Sequence, residues 1–171
     1  MKCLIIGDAG SGKSTTAKYL QKLGYSAYDT DFMSNVTKIE DLQTGKHLDK
    51  WPSMPIDWAL YGWNWQDKAL KLLLSSSETV FIAGLPSNRK DYYSLFDKIF
   101  VLTADPQTIK HRILTRKEHS YGKHPGELKA VLDYHSQLEK EFRKIPNAIW
   151  INSTSPVEIV AKAILAHANE A

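Results

Sequence analysis

The stretch of this chain with the clearest chemistry is Gly7-Asp8-Ala9-Gly10-Ser11-Gly12-Lys13-Ser14, which satisfies the Walker A spacing G-x-x-x-x-G-K-[ST]. Each residue type there has a physical task. The glycines permit backbone bends that turn successive N–H groups inward as a nest for an anion. A helix opening at the end of the loop adds its unpaired donors and the positive end of its dipole. Lys13 supplies a mobile cation for the β and γ phosphates of a nucleotide, and the Ser14 hydroxyl suits Mg²⁺. Gly7, Asp8, Ala9, Gly10, Ser11, Gly12, Lys13, Ser14 and Thr15 are therefore the expected nucleotide-binding residues, with ATP and Mg²⁺ as cofactors. A phosphate loop alone does not separate a kinase from an ATPase, a GTPase or a regulatory switch.

Three other groups bear on that choice. Asp29-Thr30-Asp31 follows a short apolar run, and the C-terminal ends of parallel strands face the ligand crevice, so both carboxylates can turn toward the loop. Two carboxylates solvating a turn would give the same spelling. Arg112 and Arg116 are four residues apart, which puts both guanidinium groups on one helix face. A solvated cationic face is the plainer reading of that pair. Tyr121-Gly122-Lys123-His124-Pro125 lies in a short polar segment, 117–126, with Gly122 and Gly126 as hinges and Lys123 as a further cation. A lid that excludes water from the phosphates needs such a segment, and an ordinary surface turn has the same composition.

Short apolar runs alternate with helical patterns along the whole chain, so the elements that must position these groups are a parallel sheet and its covering helices. Strands are expected at Cys3 to Ile6, Ser26 to Tyr28, Thr79 to Ala83, Ile99 to Leu102 and Ala148 to Ile151. Helices are expected from Lys13 to Leu23, stopped by Gly24, and after the Asp105-Pro106 start signal. Another carries Leu128, Val131, Leu132, His135, Leu138 and Phe142 on one face, and Ser155-Pro156-Val157-Glu158 opens the last. The segment 32–74 breaks this rhythm and holds four of the five tryptophans. Within it Trp58, Tyr61, Trp65, Ala69 and Leu72 recur at helical spacing, while Trp51 and Trp63 fall off that stripe and suit a ring-shaped or sugar-like ligand.

With this order of elements, the chain resembles the nucleoside-monophosphate-kinase-like group, which includes adenylate, shikimate and gluconate kinases. The resemblance implies a three-layer α/β/α P-loop NTPase fold, with a five-stranded parallel sheet, a helical acceptor-binding insertion at about 32–74 and a short lid at about 117–126. Residues 1–171 would form a single domain. The D-T-D looks like the D-x-D of shikimate-kinase-like enzymes. That likeness implies that Asp29 helps hold Mg²⁺ through water, beside Ser14, and that Asp31 contacts the acceptor hydroxyl. His111-Arg112-Ile113-Leu114-Thr115-Arg116 is similar to the R-x-x-x-R stretch before the adenylate kinase lid, which implies Arg112 on the adenine and Arg116 on the transferred phosphate. The candidate catalytic residues are then Lys13, Asp31 and Arg116. Adenylate kinases usually carry an acidic residue and then G-F-P-R where this chain reads Ala83-Gly84-Leu85-Pro86-Ser87, with Arg89 two residues on. The metal-holding role thus falls to Asp29.

Composition narrows the partners. The chain has 171 residues, 43 % hydrophobic and 24 % charged, with a net charge of +3 and no cluster of basic residues, so no nucleic-acid partner is expected. The single cysteine, Cys3, fits a reducing cytosol and lies in an apolar strand pattern as a buried thiol. The apolar start ends at Gly7, too short for a signal peptide, and no run approaches the roughly 20 residues of a membrane span. A cytoplasmic protein, monomer or homodimer, binding ATP and a small-molecule acceptor is expected, with no membrane partner. No arginine lies between Asp31 and Asn88, so shikimate is a poor acceptor and a nucleoside or carbohydrate hydroxyl a better one. A nucleoside-monophosphate kinase, or an ATP-binding regulatory module with little turnover, stands as the alternative.

Overall fold

The computed structural model describes residues 1–53, 56–117 and 121–169. Five parallel strands form the main sheet: β1 (Lys2–Gly7), β2 (Ser26–Asp29), β6 (Val80–Ala83), β7 (Lys98–Thr103) and β8 (Ile149–Asn152), in the order β2-β6-β1-β7-β8. All five expected strands form, displaced by at most a residue or two at their ends. Their near-continuous apolar spelling suits a sheet buried on both faces.

Strand alternation sorts the core into two layers. Cys3, Ile5, Phe81, Phe100, Leu102 and Ile151 pack against Ala17 and Leu20 of α1 (Lys13–Lys22) and Val160 and Ile164 of α5 (Val157–Asn169). Leu4, Ile6, Val80, Ile82, Ile99 and Val101 pack on the other face. There they meet Leu70 and Leu74 of α2 (Asp67–Leu74) and Leu138 and Phe142 of α4 (Pro125–Phe142). This is the three-layer α/β/α arrangement expected from the sequence. Burial pushes the Cys3 thiol up to about 11, which leaves it a packing group rather than a nucleophile.

Helix α3 (Pro106–Thr115) starts as its sequence predicts, with the Asp105 side chain accepting from the Thr108 amide. α5 begins at Val157, one residue later than the expected proline start, and the Pro156 carbonyl accepts from Ile159 and Val160.

The insertion differs from the helical segment expected over 32–74. It is an antiparallel sheet in the order β4-β3-β5, made of β3 (Thr37–Asp41), β4 (Lys46–His47) and β5 (Tyr61–Trp65), and among its described residues only α2 at its end is α-helical. Tyr61, Trp63 and Trp65 lie at strand spacing in β5, opposite Asp41, Ile39 and Thr37. Aromatic and β-branched residues favour such a pleated surface. The Asp41 carboxylate accepts from the Gln43 and Thr44 amides, a turn chemistry that reverses the chain after β3. Met54 and Pro55 of the insertion, and residues 118–120 of the expected lid, lie outside the described residues.

Candidate active site

The C-terminal ends of β1, β2 and β6 meet the insertion, α3 and α4 around a cleft of ≈ 2320 Å³. The phosphate loop sits at its base between β1 and α1, as its strand–loop–helix spelling requires. Gly10 and Gly12 adopt φ of +81° and +95°, and a Cβ at Gly10 would press on the Ile109 carbonyl at 3.1 Å. Side chains are thus excluded where α3 closes on the loop. The Lys13 ammonium is buried against the loop, donating to the Gly7 carbonyl at 2.8 Å and the Asp8 carbonyl at 3.0 Å. It lies along the concave side that an anion would approach.

Asp29 and Asp31 both line the cleft. The Asp29 Oδ1 accepts from the Asp31 amide at 3.2 Å, and its Oδ2 is buried with no hydrogen-bond partner among the described residues. Burial raises the Asp29 carboxyl above its usual range, and the Asp31 charge adds to this. The Ser14 hydroxyl and the Lys13 cation work the other way. A buried carboxylate oxygen beside a hydroxyl and without a donor suits a hydrated hard cation, so Ser14 and Asp29 fit Mg²⁺.

Asp31 is held differently. Its Oδ1 accepts from the Leu85 amide at 3.1 Å and from the Trp63 indole at 3.4 Å. Gly84 makes room for this corner, because a Cβ there would overlap the Thr30 hydroxyl and come within 3.2 Å of Asp31. Thr30, between the two aspartates, is fully buried. It donates to the Ala83 carbonyl at 2.9 Å and accepts from the Trp65 indole at 2.9 Å. The middle residue is therefore the joint that sets both carboxylates.

Arg112 spans the loop and the segment after β8, donating to the Gly10 carbonyl at 3.4 Å and the Ser153 carbonyl at 2.6 Å. Arg116, which caps α3, donates to the Tyr121 carbonyl. Lys123 donates to the Arg116 carbonyl, so it turns back onto the end of α3. Arg89 is buried, paired with Glu141 at 3.0 Å and donating to the Pro86 carbonyl at 3.1 Å, with Phe142 beneath it.

The outer wall is aromatic. Trp51 and Trp63 lie 4.9 Å apart at 31°, and Phe32 and Tyr134 line the same cleft. Trp58 meets Tyr121 edge-on at 6.4 Å, joining the insertion to the far side of the cleft. Several of these positioning groups escape sequence reasoning. Trp63 as a donor to Asp31, Glu127 accepting from the Gly122 amide and Glu141 fixing Arg89 all depend on long-range approach. His135, counted among the apolar face of its helix, instead turns its Nδ1 to the Asp8 carboxylate at 3.0 Å. A histidine inside an apolar stripe was the available signal.

A Walker A loop at the head of a five-stranded parallel sheet, with helices on both faces, is the fold shared by P-loop kinases. Residues 3–140 match the family described as AAA domain, and the chain belongs to that family. No curated protein sequence matches it. Among solved structures it is similar to a shikimate kinase from Acinetobacter baumannii in complex with shikimate, with a TM-score of 0.61 at 14 % identity over 99 % of this chain and 95 % of that one. It is similar to a deoxyadenosine kinase from M. mycoides with bound dATP, with a TM-score of 0.56 at 16 % identity over 99 % and 100 % of the two chains. A gluconokinase from Sinorhizobium meliloti 1021 gives 0.55 at 16 % identity over 96 % and 89 %. At these identities the likeness is one of fold. No helix among the described residues is long and apolar enough to cross a membrane.

Proposed function

We propose that this chain is an ATP-dependent kinase that transfers the γ-phosphoryl group to a hydroxyl of a small, neutral acceptor of nucleoside or carbohydrate type. The observation that carries this reading is Asp31. Its carboxylate is oriented by Trp63 and Leu85 into a cleft shared with Lys13, Arg112 and Arg116, beneath an aromatic wall. A module that only senses nucleotide has no use for a carboxylate so placed.

In this reading the nine residues Gly7 to Thr15 hold ATP, and Arg112 of α3, held by the Ser153 carbonyl, packs on its base. Ser14 and Asp29 hold Mg²⁺, which when bound neutralises charge on the phosphates. Asp31 orients the acceptor hydroxyl and takes its proton as that oxygen bonds to the γ phosphorus. The bond from the γ phosphorus to the bridging oxygen breaks, and ADP leaves. Lys13 leaves its two carbonyl partners for the β and γ phosphates, and Arg116 meets the charge on the transferred group. Trp51, Trp63 and Phe32 offer flat apolar faces to a ring, while Trp58 and Tyr121 close the cleft against water.

A nucleoside-monophosphate acceptor is the second reading, favoured by Arg89 in the wall of the cleft. Its pairing with Glu141 argues for the neutral acceptor, since a carboxylate already occupies the guanidinium. The test is an acceptor screen by mass spectrometry, run on wild type and Arg89→Ala. Phosphorylated nucleosides or sugars from both proteins support the proposal. A nucleoside monophosphate as best substrate, with a KM that rises steeply in Arg89→Ala, overturns it in favour of the second reading.

A further inference from the structure

Asp8 places a carboxylate inside a loop built to receive a polyphosphate. It is nearly buried, its Oδ1 accepts from the Ala9 amide at 2.6 Å, and its Oδ2 meets His135 Nδ1 at 3.0 Å. His135 is as deeply buried and stands mid-way along α4, the helix that also carries the Glu127 contact to the lid. Behind the pair is a small cavity shared with Ser11, Thr103 and Glu139, where the Ser11 hydroxyl is buried without a partner among the described residues and Glu139 accepts from Thr103. The other groups facing Asp8 are the Lys13 ammonium and the Tyr121 phenol, with Arg116 and Glu127 beyond the phenol.

An anionic Asp8 takes one N–H from the nest and repels incoming phosphates, so the loop works best when the pair carries no net charge. We propose that His135 is a positioning residue for the nucleotide, pinning Asp8 and sharing a proton with it, so that the pair takes up a proton when a nucleotide binds. Burial raises the Asp8 carboxyl above its ordinary range and assists that uptake; the hydrogen bond from His135, then the Lys13 cation, opposes it. The inference rests on the nucleotide-binding reading of the loop and adds a pH dependence to it.

The experiment is calorimetric titration of MgADP from about pH 6 to about pH 8, in two buffers of different ionisation enthalpy. It uses wild type, His135→Asn and Asp8→Asn, with melting curves to establish that each variant is folded. Wild type should take up a proton and lose about tenfold in affinity across that range. Asp8→Asn removes the repelling charge, so it should bind more tightly than wild type at about pH 8 and show no proton uptake. His135→Asn keeps a hydrogen-bond partner for Asp8 but cannot share a proton with it, and should bind about tenfold more weakly than wild type at about pH 6, with a pH profile unlike that of wild type. A structural role alone predicts weaker binding in both variants with the wild-type pH profile, and that result overturns the inference. Nucleotide binding by wild type with no proton uptake overturns it while leaving the proposed function intact. No MgADP binding at any pH overturns both.

Discussion

Asp29 and Asp31 lie two residues apart and face different tasks. Asp31 is oriented by donors on one oxygen, so losing its basicity should strike transfer and spare nucleotide binding. Asp31→Asn should lower acceptor turnover by about 10²–10⁴ and leave the ATP-induced rise in Tm nearly intact. Loss of that rise would mean that Asp31 serves the nucleotide instead. Asp29 is buried and raised, so as pH increases the unfolded chain ionises this carboxyl first. Stability then falls from the ordinary carboxylate range up to the raised folded value, and ionised Asp29 is a net cost at neutral pH. The nucleotide-free Asp29→Asn protein should therefore melt above wild type at about pH 7, with the difference closing below about pH 4. Its turnover should depend less on Mg²⁺. A lower Tm at neutral pH would show that the carboxylate stabilises the fold. What could be read from the chain at this scale follows from separation. The parts of the phosphate loop are contiguous and spell their own geometry. His135 is 127 residues from Asp8 and Trp63 is 32 from Asp31, and no local pattern records such meetings.

The insertion is anchored to the main sheet by Trp65 of β5, whose indole donates to the buried Thr30 hydroxyl while its ring packs near Tyr92 and Phe96. Trp65→Ala should cost about 3–5 kcal/mol in denaturant unfolding, through the cavity and the lost hydrogen bond to Thr30 together. A loss below about 1 kcal/mol would mean the insertion docks without it. Trp58, by contrast, is half-exposed and touches Tyr121 across the cleft, so its removal should loosen closure rather than folding. Trp58→Ala should raise ATP hydrolysis in the absence of acceptor and lower transfer, since water then reaches the phosphates. Unchanged partition between hydrolysis and transfer would refute that role. Element identity was legible wherever caps and apolar runs agreed, as at Asp105-Pro106. It failed in the insertion, where Trp58, Tyr61 and Trp65 fit a helical period by coincidence. The Asp41 turn and the alternation of Tyr61, Trp63 and Trp65 carried the competing strand signal.

Across the whole molecule, one sheet buried on both faces holds the phosphate loop rigidly while the insertion, α3 and α4 surround the cleft. That architecture was legible because strand and helix patterns alternate from end to end, each with its own period. The acceptor was not, because its wall is assembled from Phe32, Trp51, Trp63, Leu85 and Tyr134, far apart in the chain. In the proposed kinase, ATP is consumed in transfer to an acceptor rather than in hydrolysis. The direct measurement is the ratio of phosphorylated acceptor to ADP, taken with MgATP across nucleosides, sugars, nucleotides and hydroxy acids, for wild type and Lys13→Ala. ADP release should rise at least about tenfold with one neutral acceptor class, at one phosphorylated product per ADP, and Lys13→Ala should lose both. ADP formed at the same rate with and without every acceptor, with no phosphorylated product, would contradict it.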